Sequence, residues 1–411
     1  MRSIELFTGA GGLALGIHRA GFQHLLTVEY DRDACDTLRL NVRRGLIDWP
    51  IEEVDVRRFD YGPYPTDIDL LAGGAPCQPF SLGGKHVGQT DGRNMFPEVF
   101  RAVRELRPRA FLLENVRGLT RQSFRPYFDY ILEQLAFPHV VSLSGEDWSD
   151  HKARLLTYHA AGEDVADAPW YQAPAMRYDI TLPRVLNVAD YGVPQERHRV
   201  FIIGFRHDLG VRWFFPEPTH SVDALLYSQY VDGSYWQDHG LPRPSVPCRL
   251  ANRVARLARR PKPMMTERWQ TVRDAIRDLP EPVNYQHHPN HDNHVGIPDA
   301  RVYPGHTGSP WDWPAKTIKA GDHGNPGGEN MLRTDDGSVR YFTVRELARL
   351  QTFPDDWHFA SSWSESRRQL GNAVPVDMAE LLAQSIGRAL ENASLKANSR
   401  AGVLVAAGVS N

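Results

Sequence analysis

Cys77 stands in the stretch GGAPCQPFS, flanked by Gly73, Gly74, Pro76 and Pro79. Glycines keep such a segment slim and prolines keep it stiff, which suits a thiol displayed at the end of a strand. A thiolate is a strong nucleophile once nearby dipoles or cations lower its pKa. Otherwise a lone cysteine is a small buried hydrophobe. The chain has only two others, Cys35 and Cys248. Glu114 and Asn115 close the apolar run FLLEN. A carboxyl in apolar surroundings can stay protonated and serve as a general acid; taken alone, it reads equally as a helix cap or half of an ion pair. In QERHR the period of two puts Gln195, Arg197 and Arg199 on one face of a strand. LFTGAGGLA carries Gly9, Gly11 and Ala14 in G-x-G-x-x-A spacing, with Glu29 further on. Such glycines let a backbone approach a nucleotide cofactor, and a carboxylate at Glu29 can accept from ribose hydroxyls. The pattern does not separate NAD from S-adenosylmethionine, and it also suits a plain turn packing a helix on a strand.

These residues need a frame that brings strand ends together. SIELF, HLLTVE, DIDLLAGG and RAFLLEN read as strands, alternating with helices in LALGIHRAG, DRDACDTLRLNVRR and MFPEVFRAVREL. This rhythm predicts an α/β fold with a parallel sheet covered on both faces. In such sheets ligands bind at the carboxyl ends of the strands, where Phe7 to Gly12, Glu29, Cys77 and Glu114 all fall. After Arg206 the rhythm stops, and the stretch to Tyr341 reads as irregular. The helix TVRELARLQTFP follows, then QLGNAVP and an amphipathic helix, VDMAELLAQSIGRALENA, expected to return to the first domain.

The 411 residues are 41% hydrophobic and 24% charged, an ordinary globular balance. Three cysteines exclude a disulfide scaffold and suit a reducing compartment. The amino terminus does not read as a signal peptide. AGVLVAAGV near the end is too short to span a bilayer and reads as a tail. The net charge of −3 argues against a nonspecific polycation, yet Leu241 to Pro280 holds ten basic residues against three acidic ones. A phosphate-backbone partner would want such a segment, and a solvated helix face in RLANRVARLARR explains it equally well. YQHHPNHDNH invites a zinc reading, but the spacing of His287, His288, His291 and His294 matches no helical or finger pattern, so no metal is expected.

Taken in order, the motifs resemble those of the cytosine-C5 DNA methyltransferases. LFTGAGGLALG is similar to that family's S-adenosylmethionine loop, VEYD to its ribose-binding strand end and VDVRRFD to its adenine-contacting one. GGAPCQPFS resembles the nucleophile segment, and DGRNMF, ENV, GVPQERHR, RELARLQTFP and GNAVP follow in the family's order. The likeness covers about residues 1–143, 184–206 and 340–390. It implies a class I methyltransferase: a Rossmann-like, doubly wound, mostly parallel sheet with a second, irregular target-recognition domain. It also implies a methyl transfer from S-adenosylmethionine, leaving S-adenosylhomocysteine, to C5 of a cytosine flipped out of duplex DNA. By carry-over the catalytic set is Cys77, Glu114, Arg197 and Arg199. The cofactor set is Phe7, Gly9, Ala10, Gly11, Gly12, Glu29, Tyr30, Asp55, Val56, Pro76, Met95, Asn372 and Ala373. The DNA-contacting set is Gln78, Ser81, Lys85, Arg93, Gln195, Thr317 and Ile318, with Arg197 and Gln195 also supporting the local backbone.

The implied organisation is a catalytic domain over 1–206 with an extra segment at about 144–183, and a recognition domain over 207–341. A hinge and linking helix follow over 342–368, a completing helix over 369–392 and a tail over 393–411. The partner is double-stranded DNA, with a restriction nuclease or other phage-defence protein as a further one. A cytoplasmic, nucleoid-associated monomer is expected, with no membrane contact. Three readings compete. A tRNA cytosine-C5 methyltransferase would share the catalytic set but carry a Cys-Phe-Thr element that is missing here. A silent DNA-binding relative would not need Cys77, Glu114, Arg197 and Arg199 intact. An NAD dehydrogenase would leave Cys77 and Glu114 unexplained.

Overall fold

The computed structural model describes residues 1–76, 94–161, 176–259, 266–302, 307–321 and 330–408. The amino-terminal half alternates β1 (Arg2–Leu6), α1 (Gly12–Arg19), β2 (Gln23–Glu29), α2 (Arg32–Arg43), β3 (Ile51–Glu53), β4 (Leu70–Gly73), α3 (Phe96–Leu106) and β5 (Ala110–Val116). Then come α4 (Arg125–Ala136), α5 (Trp148–Ala161), β6 (Tyr178–Ile180), β7 (Arg184–Asn187) and β8 (His198–Arg206). They form one eight-stranded sheet in the order β3-β2-β1-β4-β5-β8-β6, with β7 also on β8. The pairs from β3 to β5 are parallel, whereas β8 runs antiparallel to β5, β6 and β7. The expected α/β architecture is therefore present, with an antiparallel edge.

The strands form where apolar side chains run together: Leu70 and Leu71 in β4 and Phe111 and Leu112 in β5 are wholly buried. Local chemistry sets the turns. Asp31 caps α2 by accepting from the Ala34 amide at 3.0 Å. Strand order reverses between β1 and β4, and that switch point opens a crevice at the carboxyl ends of both.

Beyond Arg206 the chain is more regular than its composition indicates. It forms β9 (His220–Ser221), α6 (Val222–Tyr230), α7 (Ser234–His239), α8 (Ala251–Ala258), β10 (Glu267–Arg268) and α9 (Val272–Ile276). β11 (Ser309–Pro310), β12 (Met331–Arg333) and β13 (Val339–Tyr341) make a small sheet. The aromatic residues that obscure the pattern are a local core: Tyr235, Trp236 and Trp269 pack with Leu225. α10 (Val344–Leu350) starts at a Thr343–Glu346 capping box, and α11 (Trp363–Asn372) leads to α12 (Val376–Gly408). α12 packs back against α1. It lies so close to α1 that a Cβ on Gly16 would stand 2.4 Å from Ala379 Cβ. It also continues through most of the segment read as a tail.

Candidate active site

The sheet register lines up the strand ends. Leu6 pairs with Val28 and Gly73, Gly73 with Leu113, and Val116 with Arg199. At the β1 end, Phe7, Gly9 and Gly11 all have left-handed φ, at 58°, 57° and 90°. Glycine takes this conformation freely, and Phe7 is held in it by its surroundings. A Cβ on Gly11 would meet Leu38 Cδ2 at 2.9 Å and Trp357 at 3.0 Å, so the turn is pressed onto the core there. A Cβ on Gly9 would meet nothing within 4 Å: open space lies beside it.

Glu29 ends β2 and braces this turn. Its Oε2 accepts from the Gly9 amide at 2.6 Å and its Oε1 from Tyr30 and Asp31 amides at 2.8 Å. Burial pushes its pKa up against these bonds. The Tyr30 ring beside it is 74% exposed. Asp55 follows β3, with its carboxyl turned onto Arg57, whose hydrogen bond holds its pKa down; Val56 is buried. Ala10 is buried, Met95 half-buried and Pro76 exposed. The α11–α12 junction closes the other side: a Cβ on Gly12 would meet Val374 O at 2.4 Å and Ala373 Cβ at 3.2 Å. Asn372 is exposed at that junction. Of the cofactor set, Glu29 and Ala373 lie against this turn.

Glu114, at the end of β5, is buried, and its Oε1 lies 2.9 Å from Arg199 Nε at the start of β8. Burial raises its pKa, while Arg199 and then Arg197 pull the other way. The raised direction stands, because removing a carboxylate from water is costly. A Cβ on Gly74 would lie 3.3 Å from Glu114 Oε2, and Asn115 Nδ2 donates to Ala75 O at 3.0 Å. The chain therefore runs past Glu114 on its way to Pro76. Cys77, Gln78, Ser81, Lys85 and Arg93 lie outside the described residues.

The three residues of the QERHR face divide. Arg199 meets Glu114. Arg197 is wholly buried and donates to Ile318 O at 3.1 Å and to Gly371 O and Ala373 O at 2.8 Å. Its place in the catalytic set narrows to a clasp joining β8, the 318 segment and the α11–α12 junction. Gln195, expected to touch DNA, is also wholly buried; it accepts from Ile318 N at 3.0 Å and donates to Leu350 O at 3.2 Å. Ile318 is buried too, and Thr317 donates to Glu196 O at 2.7 Å. Gln195 and Ile318 are corrected from DNA contacts to internal ties, because neither presents surface. The sequence pattern gave the shared face but not what covers it.

The basic segment is likewise partly spent. Arg253 pairs with Asp223 at 2.6 Å, Arg268 with Asp274 at 2.7 Å and Arg273 with Asp312 at 2.6 Å. Arg249 just before α8, Asn252 and Arg256 on it and Arg259 just after it are exposed, whereas Val254 and Leu257 are buried. Of the histidines, His294 is buried, with Nδ1 on Thr343 Oγ1 at 2.9 Å and Nε2 on Pro280 O at 2.8 Å.

The chain matches the C-5 cytosine-specific DNA methylase family over residues 1–137 and 174–388. It is 33% identical to a Type II methyltransferase, M.NgoMIV of Neisseria gonorrhoeae, across 95% of this chain and 98% of that one. It is 31% identical to the Type II methyltransferase M.Eco47II of Escherichia coli, across 94% and 79%. The fold is similar to that of an E. coli prophage protein described as a DNA modification methyltransferase, with TM-score 0.56, 21% identity and 95% and 99% coverage. It is similar too to a Spodoptera frugiperda DNMT2 mutant, at 0.55, 15%, 94% and 99%. With the match spanning both the sheet and the segments that close over it, the chain belongs to the C-5 cytosine-specific DNA methylase family.

Proposed function

We propose that this enzyme methylates C5 of a flipped-out cytosine within a specific duplex DNA site, with Cys77 as nucleophile and Glu114 as acid. The observation that carries the reading is the buried Glu114–Arg199 pair, set beside Gly74 and Ala75 where the chain heads into Pro76 and Cys77. Cytosine C5 is too electron-poor to attack a methyl sulfonium unaided. Addition of the Cys77 thiolate to C6 pushes electrons toward N3, and Glu114 delivers the proton that N3 then takes. The result is an enamine with its density at C5. After methylation, loss of the C5 proton to a base and return of the N3 proton to Glu114 restore the double bond and expel the thiolate. The buried Arg199 guanidinium beside Glu114 favours the negative charge that builds on the base, and it is oriented before the reaction starts.

S-adenosylmethionine supplies the electrophilic methyl group when bound. The residues present fit it: open space beside left-handed Gly9, a carboxyl at the strand end and an exposed aromatic ring at Tyr30. Glu29 holds the turn in shape, Phe7 lies in it, and Asp55 and Val56 follow the neighbouring β3. Arg197 and Gln195 act as positioning residues for this edge. The 207–341 region is read as the target-recognition unit, and the Type II relatives favour a place in a restriction-modification system.

The test is sequencing of modified cytosines in DNA from cells expressing the protein. Methylation of C5 at one recurrent site is expected, with Cys77→Ser abolishing it. A serine hydroxyl is scarcely ionised at neutral pH, so the rate should fall at least ~1000-fold, near ~4 kcal/mol in barrier. Methylation at nitrogen, or transfer retained by Cys77→Ser, would refute the reading.

A further inference from the structure

The family match stops at residue 137 and resumes at 174, so residues 138–173 lie outside it. Their described part is firmly fastened. Trp148, at the start of α5, meets the Tyr127 ring edge-on, with centroids 5.4 Å apart and planes at 90°, and lies 5.9 Å from Tyr130. His151 joins the Tyr130 hydroxyl, at 3.1 Å, to Val140 O, at 3.0 Å. Lys152 donates to Pro126 O at 3.0 Å. All of these contacts except the Val140 one bear on the first turns of α4.

The same turn of α4 holds the chain where it leaves the Cys77 segment. Asn94 directly follows residues 77–93, and its Nδ2 donates to the Tyr127 hydroxyl. Its Oδ1 accepts from the Phe96 amide at 3.3 Å, at the start of α3. Tyr127 is buried, and the rings continue from Tyr130 to Phe100, at 6.1 Å, and to Phe96, at 6.3 Å. A packed aromatic row of this kind has little room to yield. Displacing Trp148 would therefore be felt at the Tyr127 hydroxyl.

We propose that the described residues 138–161, acting through Trp148 on Tyr127, fix Asn94, the residue that follows the Cys77-bearing stretch, and so set the placement of the nucleophile. This rests on the reading of Cys77 given above. Tyr127 is a positioning residue: among the described residues its hydroxyl meets Asn94.

Tyr127→Phe keeps the ring and deletes the tie. Single-turnover methyl transfer should drop about tenfold, inside the ~100-fold cost of a 1 Å misplacement, while KM for DNA, methyl-donor affinity and melting temperature hold. Trp148→Ala should slow transfer comparably and also lower the melting temperature. A purely structural insertion would show only in melting. In the double variant the second change should slow transfer less than about twofold further, because both act through one contact. Wild-type transfer in Tyr127→Phe, or fully additive rate losses, would overturn the proposal. Cys77→Ser separates the two readings. If it stays active, the nucleophile assignment fails; if it is dead while Tyr127→Phe is untouched, only the positioning role fails.

Discussion

At the scale of single residues, burial sets the chemistry. Glu114 is the general acid of the proposed reaction, so its protonated form must be populated. Burial raises its pKa, which keeps that form available to higher pH than an ordinary carboxyl allows. Transfer should therefore decline as pH rises through the Glu114 value. Arg199 opposes the rise, so Arg199→Gln should move this descending limb to higher pH while lowering the maximum rate. Glu114→Gln should remove the limb. Single-turnover rates across pH check both, and an unmoved limb in Arg199→Gln would detach Glu114 from the acid role. Glu5 shows the same physics without a part in catalysis. It is wholly buried in β1, and its Oε2 has no partner among the described residues. Burial holds its pKa well above the usual range. The folded state thus keeps a proton that the unfolded chain releases near pH ~4.3, and stability falls as pH rises through that interval. Glu5→Gln should flatten this slope, so that the variant gains in melting temperature on the wild type as pH rises from 5 to 8. A melting-temperature difference that stays the same across that range would contradict it.

Among the elements, legibility in the sequence followed the strength of the local signal. β1, β2, β4 and β5 are apolar runs bounded by glycine or acidic turns, and their alternation with helices announced the sheet and the edge where Phe7, Glu29 and Glu114 end. Gln195 and Ile318 were placed on DNA by carry-over from the family, and neither a resemblance nor a period of two can say that protein covers them. The region after Arg206 hid its helices since Trp236, Trp269 and Tyr235 serve as core there without periodic spacing. Composition also overstated the basic segment, because ion pairing is a tertiary fact. Arg253, Arg268 and Arg273 are neutralised, whereas Arg249, Arg256 and Arg259 are exposed on α8 and just beside it. These three are predicted to contact phosphate. Changing all three to Ala should weaken DNA binding and flatten its log–log salt slope by about 0.9 for each lost contact. An unchanged slope would place the DNA elsewhere.

For the whole molecule, the arrangement is one sheet edge closed by returning chain. α10 to α12 come back from the far end of the sequence to press the α11–α12 junction against Gly12, and Arg197 ties that junction to β8 and the 318 segment. No helix among the described residues is long and apolar enough to cross a membrane. The family was readable from nine ordered motifs, but no spacing rule could announce that α5 would pack on α4 and reach Asn94 through Tyr127. Covalent attack by Cys77 on a cytosine held against Glu114 is the central step of the proposed reaction. The most direct measurement uses duplex DNA carrying 5-fluorocytosine at the methylated position, with S-adenosylmethionine present. Fluorine cannot leave as a proton does, so the enzyme should remain bonded to the methylated base. Mass spectrometry should then find the adduct on the peptide containing GGAPCQPFS, at Cys77. An active enzyme that forms no adduct, or forms it at Cys35 or Cys248, would contradict the account.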